Sequence, residues 1–141
     1  MKKTFLIVAA LLSFTAFAFA GNVLAFDITI DLAPNVLNLQ RTDDKCVTVH
    51  TDILYSEVSC TSVVLEVGEG STTAYSCFSD DRGYFVAKFW REAVGELVSI
   101  GDNTFTLKGT TKATAGSVDF WGSQEILVVD NDPINAPKGP R

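Results

Sequence analysis

The chain has one histidine, three cysteines and 11 basic side chains in 141 residues, and each shortage excludes something. With His50 the one imidazole, no Ser/His/Asp order can be defended, and no serine sits in a G-x-S-x-G elbow. Cys46, Cys60 and Cys77 form no CxxC pair, which excludes a thioredoxin-like redox site, a zinc ribbon and c-type haem attachment. No glycine-rich phosphate loop occurs. Basic residues are outnumbered by 17 acidic ones, so the surface repels phosphate backbones and offers no patch for anionic lipid. Nucleic acid is thus a poor partner. After the first 20 residues no apolar run is long enough to cross a membrane. A catalytic set, a metal cluster and a cofactor are not expected: the nucleophile–base and ligand spacings are missing.

The first 20 residues, MKKTFLIVAALLSFTAFAFA, have a basic start, an apolar centre and a small-x-small end. This is the pattern of a secretory signal peptide of bacterial style, with cleavage expected after Ala20 or Ala25. Cutting after Ala25 removes Lys2 and Lys3 and leaves 116 residues, with nine basic against 17 acidic side chains and a net charge of −8. That length suits one domain with one core, placed outside the cytoplasm and not spanning the membrane.

Within residues 26–130 apolar residues alternate in short runs. FDITIDL sets Ile28, Ile30 and Leu32 on one face, and CVTVHTDI sets Val47, Val49, Thr51 and Ile53 together. SVVLEV, YFVAKFW, NTFTLKG and SQEILVVD repeat the pattern. Period two, punctuated by turn residues, predicts half-buried strands and an all-β sandwich of about seven to eight strands. REAVGEL, residues 91–97, is too short to stand as a helix and is expected to be a loop or single turn. Residues 131–141, with three prolines and a glycine, are expected to form a tail outside the core.

The stretch SDDRGYF tests for chemistry. Calcium needs six or more oxygens, yet Asp80 and Asp81 are followed by Arg82 and no closing carboxylate. Paired acid–base carboxylates need unlike environments, which adjacent turn residues do not have. A turn closed by an aspartate, with Gly83 at positive φ, explains the stretch and delivers Phe85 to the core. The pattern D-x-G-x-F at Asp81–Phe85, with Gly101-Asp102-Asn103-Thr104-Phe105-Thr106-Leu107 after it, resembles hairpins of bacterial immunoglobulin-like modules of secreted and surface proteins. The likeness covers about residues 61–130, and ITIDLAPNVLNL would add the first strands. It implies an immunoglobulin-like sandwich acting as spacer, adhesive unit or accessory domain, and carries over no catalytic residue.

Cys46, His50 and Asp52 share the outward face of one strand, but positions four apart lie about 13 Å from each other, too far for one small site. A hairpin centred on Gly68-Glu69 would set Cys60 opposite Cys77 and leave Cys46 free; a three-residue loop would shift the register by one. Tyr84 and Trp90 alternate outward on one strand, and Trp121 lies in VDFWG, making these three a possible binding face for a protein or glycan. The expectation is an exported, non-enzymatic interaction or structural module with no oligomeric state implied. The alternatives are a carbohydrate- or small-ligand-binding protein using those aromatics, or an assembly subunit donating FDITIDL as a strand.

Overall fold

The computed structural model describes residues 25–41 and 43–131. The expected signal peptide, apart from Ala25, and the tail from residue 132 onward lie outside the described residues. The strands are β1 (Phe26–Asp27), β2 (Ile30–Ala33), β3 (Val36–Asn38), β4 (Cys46–Leu54), β5 (Val58–Val67), β6 (Gly70–Thr73), β7 (Ser76–Ser79), β8 (Tyr84–Trp90), β9 (Gly101–Thr111) and β10 (Asp119–Val129). A single turn of helix, α1 (Arg91–Gly95), follows β8 and buries Val94. Among the described residues no helix is long and apolar enough to cross a membrane.

The strands form two sheets packed as a sandwich. One has the order β2-β4-β8-β7; the other runs β10-β9-β5-β6, with β1 and β3 both lying parallel along the edge of β10. These orders match the A-B-E-D and G-F-C-C′ sheets of an immunoglobulin fold. The alternating residues of both sheets meet in one core, with Phe85, Phe89, Phe105, Phe120, Leu65 and Leu107 fully buried.

Ten strands stand where seven to eight were expected, because two runs change sheet part-way. The first run pairs with β10, crosses to β4, and returns to β10 after Pro34, whose nitrogen has no proton to donate to a ladder. Its first crossing needs Gly122: a Cβ there would sit 2.7 Å from the Ile28 carbonyl oxygen. Gln124 Oε1 accepts from the Leu32 amide at 2.7 Å, satisfying a β2 donor from the opposite sheet. The second run leaves β6 after Thr73 and re-pairs as β7, where the Tyr75 amide donates to the Lys88 carbonyl.

That second crossing relocates the disulfide. Val67 pairs with Gly70 and Val64 with Thr73 around a two-residue Gly68-Glu69 turn, as expected. Cys60 and Cys77 are bonded, with Cα atoms 6.2 Å apart. However, Cys60 belongs to β5 and Cys77 to β7, so the bond joins the two sheets at the sandwich edge and does not cross one hairpin. β5 makes room by bulging: between Ser59 and Val64 it gains three residues on β9. The Ser62 hydroxyl fills the broken ladder, accepting from the Thr110 amide at 2.8 Å and donating to the Ser59 carbonyl at 2.6 Å.

Candidate functional site

The Asp80–Gly83 stretch is a turn. Asp80 Oδ1 accepts from the amides of Arg82 (2.8 Å) and Tyr84 (2.9 Å), and Gly83 has φ of +90°. The Tyr84 and Arg82 amides hold the Asp80 carboxyl below its ordinary range. Both lone-pair directions used are local, so the carboxylate closes the β7–β8 hairpin. Among the described residues no three His, Cys, Asp or Glu side chains gather in a way that could hold a metal ion.

The outer face of the four-stranded sheet carries the most exposed aromatic pair. Trp90, at the end of β8, is 52 % exposed and stacks on Tyr75, ring centroids 3.9 Å apart and planes 12° from parallel. Tyr75 reaches it because the chain has just crossed from β6 to the β7 edge. Partial burial and then the neighbouring Cys46 thiol push the Tyr75 phenol above its usual value. Beside the stack, Asp44, Lys45, Trp90, Arg91 and Glu92 line a hollow of about 340 Å³. Arg91 Nε and Nη2 are buried and lack a hydrogen-bond partner among the described residues. Farther along the same face Phe78 is exposed, with Lys88 Nζ 5.3 Å from its ring centre. Trp, Tyr and Arg gathered at one corner is the composition that dominates binding hot spots.

No protein-family model, curated protein or solved structure matches the chain.

Of the three aromatics singled out from the sequence, Tyr84 and Trp90 lie on the outer face of β8 and Trp121 does not. Tyr84 and Trp90 are six steps apart on β8, about 20 Å at the strand rise. Trp121 is on β10, on the outer face of the other sheet, and is 43 % exposed. The structure thus gives two separated aromatic sites. At the second, the β5 bulge opens a hollow of about 440 Å³ whose walls include Ser62, Lys108, Thr110, Asp119 and Trp121.

Cys46 is a free, half-buried thiol directly across from Trp90 in the β4–β8 register, with Sγ 3.9 Å from Thr48 Oγ1. Its outward face and the intervening β8 separate it from Cys77, which packs against the core. His50 is exposed on the same strand, across from fully buried Val86. Tyr75 and Arg91 were missed by sequence reasoning. Tyr75 falls between two strands, where alternation has nothing to say, and Arg91 opens a segment too short for a helical pattern.

Proposed function

We propose that the protein is an exported, non-enzymatic binding module that presents the Tyr75–Trp90–Arg91 corner to a protein partner. The observation that carries this reading is the stacked Tyr75–Trp90 pair. A Trp left half in water forfeits burial worth about 2 kcal/mol, and here it is held in a fixed orientation by its neighbour. Such a pair supplies rigid contact area at little entropic cost, and Arg91 lines the hollow next to it. Export is supported by the signal-peptide pattern and by the Cys60–Cys77 bond, since disulfides persist in oxidising compartments. The FDITIDL segment is used within its own chain as β1 and β2, so strand donation has no free strand there to rest on.

The test is capture from envelope and medium fractions of the producing cell, with the mature chain immobilised. Trp90→Ala and Tyr75→Ala should each lose a captured partner at least tenfold, while Trp121→Ala retains it. Capture that survives both corner substitutions would remove the corner as the binding surface.

A further inference from the structure

We infer that the hollow beside Trp121 is a saccharide-binding site, taking an uncharged pyranose unit of an oligosaccharide. It lies on the other sheet from the Tyr75–Trp90 corner and does not depend on the role given to that corner.

The hollow is a product of the strand register. β5 leaves β9 between Ser59 and Val64, and the gap opens beside Thr110 on the outer face. Gly109 lets Phe120 lie close against β9 here: a Cβ at that position would sit 2.5 Å from Phe120 Cζ. Apart from Ala25, just ahead of β1, the walls come from strand positions. Trp121 stands across from Lys108, and Asp119 across from Thr110, in consecutive outward pairs of β9 and β10.

The chemistry of these walls is that of a sugar site. An indole face at 43 % exposure offers a flat apolar surface, which suits the C–H face of a pyranose. Hydroxyls around the ring need donors and acceptors converging from one side. Thr110 Oγ1 donates to Asp119 Oδ1 at 2.8 Å, which fixes that carboxylate and leaves Oδ2 to accept. Lys108 Nζ is 2.8 Å from Glu66 Oε2 and has two further protons to donate. Lys108 is already paired with Glu66, so Asp119 leaves one net negative charge at the rim, which disfavours an anionic ligand and suits an uncharged one. About 440 Å³ holds a small ring and its substituents. The outward row continues as Thr106 with Ser123, hydroxyls 2.8 Å apart, then Thr104 with Glu125. Successive pairs are about 7 Å apart along the strands, so a further sugar unit meets polar groups again.

The test uses the mature chain carrying Trp90→Phe, in which Trp121 is the one indole. It is titrated with tetrasaccharides of β-1,4-linked glucose, N-acetylglucosamine and galactose. A saturable change in Trp121 emission is expected with at least one of them. Adding Asp119→Ala or Lys108→Ala should weaken that titration at least tenfold without moving the melting temperature, since both side chains are on the outer face. Flat emission across the panel overturns the inference, as does a titration indifferent to both substitutions. A response seen with Trp121→Phe and wild-type Trp90 would place the sugar at the other corner and overturn it equally. Loss of protein capture by Trp90→Phe, with the Trp121 titration intact, would bear on the corner alone.

Discussion

Gly83 and Asp80 divide the work of one turn. A Cβ at Gly83 would meet nothing within 4 Å, so any cost of a larger residue comes from its φ of +90°. Gly83→Val should therefore destabilise the domain by about 1–3 kcal/mol in denaturant unfolding; an unchanged midpoint would mean that the backbone there is ordinary. Asp80 acts through its charge. Its carboxyl is held below the ordinary range by two amides, so its stabilisation is present above the unfolded carboxylate pKa near ~3.9 and is lost as pH falls through the lower folded value. Asp80→Ala should lower the melting temperature most at neutral pH, and the gap from wild type should close below about pH 4. A constant gap down to pH 2 would show that the carboxylate charge contributes nothing. This turn was legible from the sequence because Asp and Gly act on their own backbone. The Tyr75–Trp90 stack was not, because the two residues meet through a change of sheet.

Strand existence was legible wherever one face is buried: Ile30, Leu32, Val47, Val49, Phe105, Leu107, Ile126 and Val128 all entered the core as their alternation implied. What alternation does not encode is which sheet a strand joins. The Gly68-Glu69 hairpin register was readable, and continued in register it would have aligned Cys60 with Cys77 in one sheet. The bond forms, but between sheets, because β6 stops at Thr73 and β5 bulges. Cutting it with Cys60→Ser plus Cys77→Ser should cost about 3 kcal/mol by loop-closure entropy, measured by denaturant unfolding. Ser62→Ala should cost about 1–2 kcal/mol, since it strips the Thr110 amide of its acceptor. If that variant unfolds like wild type, the bulge is held by something other than the Ser62 hydroxyl.

At the scale of the whole molecule, composition and turn spacing were enough for a sandwich, and strand order supplies the immunoglobulin arrangement. The proposed binding surface was legible only in part, since Trp90 and Trp121 were identified but belong to opposite sheets. Cys46 gives a report on the first of these surfaces. Its thiol lies across from Trp90 and next to Tyr75, so the mature protein should carry one alkylatable thiol or run as a disulfide-linked dimer on a non-reducing gel. Cys46→Ser should abolish either signal and leave the melt unchanged. A Cys46 bridge to Cys60 or Cys77, found by peptide mapping, would contradict the topology.

The most direct test of the Tyr75–Trp90 corner as the binding surface is site-specific photo-crosslinking in the producing cell. A photoreactive residue is placed at position 75, 90 or 127, the last being an exposed site on the opposite sheet. The same discrete adduct should appear from positions 75 and 90 and be absent from 127. Adducts from 127 with none from 75 or 90 would contradict the account.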